Sequence, residues 1–159
     1  MLKFVAFKGV SKLSKIIKFF TRSEYSHIAV LLQDNTLIEA WGKIPDVKWM
    51  YSSFKAHTVG TPFDVYGIEL ARKEEELAIR FYKFLAETNV RYNWLGVVGF
   101  VLPFFTSSGG YFCSEGCWEG LRFASREFWH TEGWKVSPDL FVRLILAHGG
   151  ELLWSSIVS

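Results

Sequence analysis

The hydrophobic period of this chain changes near Lys73. Before that residue, short apolar segments bounded by polar turns are typical of β-strands. After it, a Glu-rich turn is typical of the start of a helix. The apolar residues that follow recur at the spacing of one helix face, and they are Leu77, Phe81, Phe84 and Leu85. Strands followed by helices predict the α+β class, with a small antiparallel sheet packed against helices.

Turn and capping residues set the expected boundaries. The predicted strands are 3–7, 25–32, 36–41, 47–51, 65–70 and 151–158, with a short helix in the 52–62 connection. Besides the helix near Lys73, we expect helices over 11–20 and about 114–128. A last helix is expected to start at Ser137-Pro138-Asp139 and to end at Gly149-Gly150.

Length and charge restrict the class of protein. The 159 residues fit one domain over 1–159, and a net charge of +2 is too small to suggest nucleic acid as the main partner. The longest apolar run, 94–105, is shorter than the roughly 20 residues of a spanning helix. Lysines interrupt the N-terminal apolar stretch, so no secretory signal is expected. We therefore expect a cytoplasmic or virion-associated protein.

Cys113 is the strongest candidate for a reactive group. It follows Gly109-Gly110-Tyr111-Phe112 and falls in the predicted first turn of a helix. Free N–H groups and the helix dipole favour a thiolate there, and they can also stabilise an oxyanion. The alternative is a buried cysteine in an aromatic core. The second cysteine, Cys117, lies one turn further on and is expected to pack.

A cysteine nucleophile needs a base, and the chain has four histidines. His148 is expected to interact with the end of the last helix, His130 lies in a polar stretch and His57 in a loop. His27 interrupts an apolar strand, where a polar ring is costly unless it is used. His27 is therefore the predicted base.

Glu39 interrupts the neighbouring strand in the same way. A tight turn centred on Asp34 would place His27 opposite Ala40, with Glu39 one step out of register. A one-residue bulge or a slightly wider loop would bring His27 and Glu39 onto one face, where the carboxylate could orient the imidazole. The alternative is that both residues line a solvent-exposed face.

Together these residues resemble the permuted branch of the NlpC/P60 cysteine peptidase superfamily, of the bacterial YiiX/YebB-like type, in which the His strand precedes the Cys helix. The matching segments are Thr21-Arg22-Ser23-Glu24-Tyr25-Ser26-His27, the strand 28–32, Glu39, Arg91-Tyr92-Asn93-Trp94-Leu95-Gly96, Tyr111-Phe112-Cys113-Ser114-Glu115 and Val136-Ser137-Pro138-Asp139. The resemblance implies a circularly permuted papain-like fold.

The resemblance also implies a thiol hydrolase of amide or ester bonds. Cys113 would be the nucleophile, His27 the base and Glu39 the residue that orients the base. Family substrates are often cell-wall peptides, and relatives of the same permuted fold transfer acyl chains of lipids. No cofactor is implied. Tyr92 and Tyr111 are expected to contact the substrate, although aromatic residues at this density are more often core.

Other interpretations stay open at this point. A metal site formed by Cys113, Cys117 and His27 is conceivable but has a weak signature, so no metal is expected. The predicted basic helix over 11–20 could dock on a membrane surface, although a helix that covers the sheet is simpler. Two other functions are a lipid acyltransferase and a catalytically silent structural or virion module.

Overall fold

The computed structural model describes residues 1–10, 14–15, 18–19, 22–41, 46–92, 110–125 and 131–156. These residues form a six-stranded sheet, three complete α-helices and two short 3-10 helices. The strands are β1 (Leu2–Phe7), β2 (His27–Leu31), β3 (Leu37–Trp41), β4 (Lys48–Ser52), β5 (Phe63–Ile68) and β6 (Glu151–Ser155). The helices are α1 (Arg72–Glu87), α2 (Cys113–Ala124) and α3 (Pro138–Ala147), with 3-10 turns at Phe54–Ala56 and Gly133–Lys135. The predicted α+β class is confirmed.

All neighbouring strands pair antiparallel, in the order β4-β3-β2-β1-β5-β6. Side chains alternate between the two faces of each strand, and both faces are covered by apolar contacts. The larger core lies between one face and the helices and includes Phe4, Ile28, Trp49, Tyr82 and Trp118. A smaller cluster lies on the opposite face and includes Val5, Phe7, Ala29, Leu37 and Val65.

The β2–β3 register decides which side chains meet. Val30 pairs with Ile38 and Leu31 with Leu37. Continued along both strands, this register places His27 opposite Trp41, one residue further than a tight turn would give. His27 and Glu39 then share a face as diagonal neighbours. This is the wider-loop arrangement that the sequence allowed.

Close packing fixes the start of α2 against the sheet. A Cβ atom at Gly116 would collide with the ring of Trp49, which is 0% exposed. Only glycine therefore allows this helix to lie so near β4. Ser114 Oγ donates a hydrogen bond to the carbonyl of Val136 at 2.7 Å, and Glu115 Oε2 accepts from the N–H of Phe112 at 3.2 Å. The first turn of α2 is thus fixed by its contact with Trp49, by the hydrogen bond to Val136 and by its own N-terminal cap.

Several predicted boundaries differ from the structure. Residues 25 and 26 precede β2, because the Tyr25 N–H bonds to Ser23 Oγ instead of joining a ladder. β5 starts and ends two residues earlier than predicted, and β6 ends at Ser155. Of the predicted helix over 11–20, the structure describes 14, 15, 18 and 19, all helical. The run 94–105, His130 and residues 157–159 lie outside the described residues. No helix among the described residues is long and apolar enough to cross a bilayer.

Candidate active site

His27 is paired with a buried carboxylate, that of Glu39. His27 is the first residue of β2, and its Nε2 lies 2.6 Å from Glu39 Oε2. Glu39 is 0% exposed, and its side chain lies in the middle of β3. A buried carboxylate is stable only with hydrogen-bond donors around it, and the imidazole supplies one.

Cys113 lies on the other side of the His27 ring. It is the first residue of α2 and is only 3% exposed. The His27 side chain and the backbone N–H groups of Ile28 and Ser114 interact with its thiol and lower the pKa of that thiol. Because Glu39 occupies Nε2, Nδ1 is the ring nitrogen left to exchange a proton with the sulfur. The structure therefore brings together the three residues that were predicted to form a triad.

The electrostatics of this group favour charge separation. Burial by itself raises the pKa of the Cys113 thiol, but the charge and hydrogen bond of His27 outweigh burial and hold the pKa below its usual value. Burial likewise lowers the pKa of His27, and the Cys113 thiolate followed by Glu39 raises it above its usual range. Each group thus favours the charged form of the other, and a thiolate beside an imidazolium is the reactive form of a catalytic cysteine.

The charge of Glu39 completes this arrangement. Burial raises the pKa of its carboxyl, but hydrogen bonds from His27 and His57 lower it to about 2. The carboxylate is therefore ionised at neutral pH and can only accept hydrogen bonds.

The two tyrosines predicted as substrate contacts lie in different surroundings. The Tyr92 side chain is buried and interacts with both the side chain and the backbone of Cys113. Burial, followed by the charge of Cys113, raises the pKa of Tyr92 well above its usual value, so its hydroxyl keeps its proton. The Tyr111 ring instead packs at 6.1 Å from Phe81, and its carbonyl accepts from Trp49 Nε1 at 3.0 Å. Tyr92 is thus adjacent to the thiol, and Tyr111 packs on α1.

Two neighbours of Glu39 were not identified from the sequence. His57 Nε2 lies 3.1 Å from Glu39 Oε1, and Ser52 Oγ donates a hydrogen bond to the same oxygen. His57 directly follows a 3-10 turn, in a connection whose residue pattern does not differ from that of an ordinary polar loop. Ser52 is the last residue of β4 and shares a face with Glu39 through the β3–β4 register. That register is the one signal by which Ser52 could have been found.

The remaining candidates have structural roles. His148 follows α3, and its Nδ1 lies 2.8 Å from the carbonyl of Leu144, in keeping with its predicted position. Cys117 is 0% exposed in the main core, and burial raises the pKa of its thiol well above the usual value. The Cys117 thiol is therefore unreactive compared with Cys113.

A cavity of about 280 Å³ adjoins His57. Its walls are formed by the rings of Phe7, Phe54, His57 and Phe63, by Lys55 and by the segment 58–61. The three phenylalanine rings contact one another, with centroids 5.0 to 6.3 Å apart. The three rings give the cavity a largely apolar wall, to which Lys55 adds one charged side chain.

Comparisons with known proteins give information on the fold. No protein-family model matches the chain, and no curated protein matches its sequence. The structure is similar to that of YiiX. That crystal structure, of the metalloprotein YiiX from Escherichia coli O157:H7, superposes with a TM-score of 0.59 at 22% sequence identity. The match covers 79% of this chain and 66% of the YiiX chain, and at this identity the likeness shows the fold alone.

YiiX is described as a metalloprotein, which raises the question of a metal site in the present chain. Within the described part of the chain, no group of three or more His, Cys, Asp and Glu side chains is arranged to hold a metal ion. The three residues considered as a metal site, Cys113, Cys117 and His27, do not form such a group.

Proposed function

We propose that this chain is a cysteine hydrolase of amide or ester bonds, built over residues 1–159 on a circularly permuted papain-like fold of the NlpC/P60 superfamily. Cys113 is the nucleophile, His27 the acid and base, and Glu39 the residue that orients His27. The fold likeness to YiiX supports the permuted topology, because the resemblance noted in the sequence is to proteins of that type.

One observation carries this proposal: the continuous chain from Cys113 through His27 to Glu39. The imidazole Nε2 lies 2.6 Å from a fully buried carboxylate oxygen, and the interaction of the ring with the Cys113 thiol raises the pKa of His27 and lowers that of the thiol. A nucleophile, a base and an orienting group in this order are the components of a catalytic triad. A cysteine that only packs in the core needs neither a base nor an orienting group.

The reaction follows from these contacts. The Cys113 thiolate attacks the substrate carbonyl carbon, and the carbonyl electron pair moves to oxygen. Collapse of this intermediate expels the leaving amine or alcohol, which takes the proton from Nδ1 of His27. The resulting thioester is then attacked by water, whose proton passes to His27, and cleavage of the C–S bond releases the acid and regenerates the thiolate.

Tyr92 is suited to stabilise the oxyanion. Its side chain interacts with the backbone and side chain of Cys113, and its hydroxyl keeps its proton. A neutral hydroxyl and a helix N-terminal N–H are the kinds of donor that oxyanion holes use.

The preferred substrates are peptides of the cell-wall type, by resemblance to the family. A second candidate is acyl transfer or thioester hydrolysis on lipids, favoured by the cavity that Phe7, Phe54 and Phe63 line beside His57. An acyl chain would pack against these three rings.

Selective alkylation tests the site without a known substrate. At pH 6, iodoacetamide should modify Cys113 far faster than Cys117, because only Cys113 is adjacent to an imidazolium. Peptide mapping by mass spectrometry would separate the two sites. Slow labelling of Cys113 at the rate of Cys117 would contradict the proposal and would support the silent module.

Substrate trials then divide the two activities. The protein is incubated separately with peptidoglycan fragments and with phospholipid vesicles, and the products are analysed by mass spectrometry. The Cys113→Ala variant serves as the matched control, since it should fold normally and release no product. Product from vesicles alone would favour the lipid enzyme.

A further inference from the structure

The two oxygens of the Glu39 carboxylate have different partners. Oε2 faces His27 at 2.6 Å. Oε1 accepts hydrogen bonds from His57, at 3.1 Å, and from Ser52. An ionised carboxylate only accepts, so Nε2 of each histidine must carry a hydrogen. His57 therefore donates to Oε1 as His27 donates to Oε2.

His57 is held rigidly in this position. Its ring is stacked on Phe7, with centroids 3.8 Å apart and planes 12° apart, and the centroid of the Trp41 ring lies 4.4 Å from its own. Its side chain is only 7% exposed, and its backbone N–H bonds to the carbonyl of Phe54 at 3.2 Å. A donor fixed this way loses little entropy when it binds the carboxylate.

Rotation of the Glu39 carboxylate matters for His27. If the carboxylate turned about its last bond, Oε2 would leave the imidazole plane and the ring would lose its orientation. Two donors on Oε1 oppose that rotation. Partners of an orienting group commonly tune the primary group in this way.

We propose that His57 is a positioning residue: through its Nε2–H bond to Oε1 it fixes the Glu39 carboxylate, which in turn holds the His27 imidazole toward Cys113. This proposal rests on the proposed function. His57 does not contact the thiol; it acts through Glu39.

Two substitutions separate this role from packing. His57→Phe keeps a ring between Phe7 and Trp41 but removes the donor. His57→Gln removes the ring but places an amide N–H where Nε2 lies. His148→Phe is the matched control, because that histidine lies at the exposed end of α3.

The first readout is the rate at which iodoacetamide modifies Cys113 at pH 7. We expect His57→Phe to lower it by about threefold to tenfold, the factor that one hydrogen bond is worth. His57→Gln should keep most of the wild-type rate, and His148→Phe should keep all of it. In a Glu39→Gln background, His57→Phe should cause no further loss, because residues that act in series are not additive.

The second readout is the titration of the Glu39 carboxyl carbon by ¹³C NMR. Loss of a donor to the anion raises a carboxyl pKa, so His57→Phe should raise it and His57→Gln should restore it. A structural role alone would leave this titration unchanged once the variants are shown to be folded. Unchanged titration and rate in His57→Phe, or a full loss in the Glu39→Gln background, would overturn the proposal.

The two proposals fail differently. If Cys113 in the wild type reacts no faster than Cys117, the hydrolase proposal fails. The Glu39 titration needs no reactive thiol, so it still decides whether His57 holds the carboxylate.

Discussion

Replacing Glu39 by glutamine should lower the pH at which His27 loses its proton. The substitution keeps the size of the side chain but removes the negative charge whose Oε2 lies 2.6 Å from Nε2. With the two charge centres about 4 Å apart and an effective dielectric constant of about 20, the lost attraction is at most ~4 kcal/mol. The amide oxygen keeps part of the hydrogen bond, so a net loss of about 1.5–3 kcal/mol is expected. This corresponds to a fall of about one to two units in the pKa of His27.

The assay is a pH titration of the histidine Cε1–H signals by NMR, with His27 assigned through a His27→Gln variant. The Cys113→Ala variant provides a second shift of the His27 midpoint, against which the shift in Glu39→Gln is compared. Among the groups that raise the pKa of His27, the thiolate contributes more than Glu39, so this substitution should lower the midpoint further. Urea denaturation verifies that each variant is folded.

The lower pKa of His27 in Glu39→Gln should also change the pH dependence of catalysis. Turnover requires the imidazolium as acid, so Glu39→Gln should move the alkaline limb of the pH–rate profile to lower pH and reduce the rate without abolishing it. The acid limb of the profile should not move to higher pH, because it reports the titration of the Cys113 thiol, and His27 is protonated throughout that range. A folded Glu39→Gln protein with the wild-type His27 midpoint would refute the orienting role, and another polar residue would have to fill it.

Three further predictions concern other parts of the molecule. Tyr92→Phe should reduce turnover on the order of 10² and slow the alkylation of Cys113 by much less, since the hydroxyl acts chiefly on the oxyanion; equal losses in both assays would argue against that role. Gly116→Ala should destabilise the protein by about 1–3 kcal/mol in urea denaturation, because the added methyl group collides with Trp49. For acid stability, burial raises the carboxyl pKa of Glu39 and of Asp64, but their hydrogen bonds outweigh it and hold both below their usual values. The Glu39 contribution, about 3 kcal/mol of unfolding free energy, is therefore full above about pH 4.5 and is lost as pH falls toward 2, and Asp64 adds a loss of the same sign in acid.

Features that depend on neighbouring residues were predictable. Ser137 caps α3 through a 3.2 Å bond from the N–H of Leu140, and Pro138 takes the first helical position, as the local pattern predicted. The placement of Cys113 at the first residue of α2 is of the same kind. Caps and helix starts are set within three or four residues, so the local sequence contains the necessary information.

The pairing of His27 with Glu39 was only partly predictable. Two registers were open, and the turn decided between them: Asn35 adopts a φ of 64°, and Asp34 Oδ1 accepts from the N–H of Thr36 at 2.9 Å. A shift of one residue would have turned one of the two side chains to the other face. Local sequence narrowed the choice, and pairing in the sheet completed it.

His57 had no signal of its own in the sequence. Its ring contacts Phe7, fifty positions earlier, and its Nε2 bonds to a residue eighteen positions earlier. Composition and periodicity report which face of an element is apolar, but not which loop folds over that face. The identities of the nucleophile, base and orienting carboxylate could therefore be proposed from the chain alone, while the second histidine on that carboxylate emerged only when distant segments packed together.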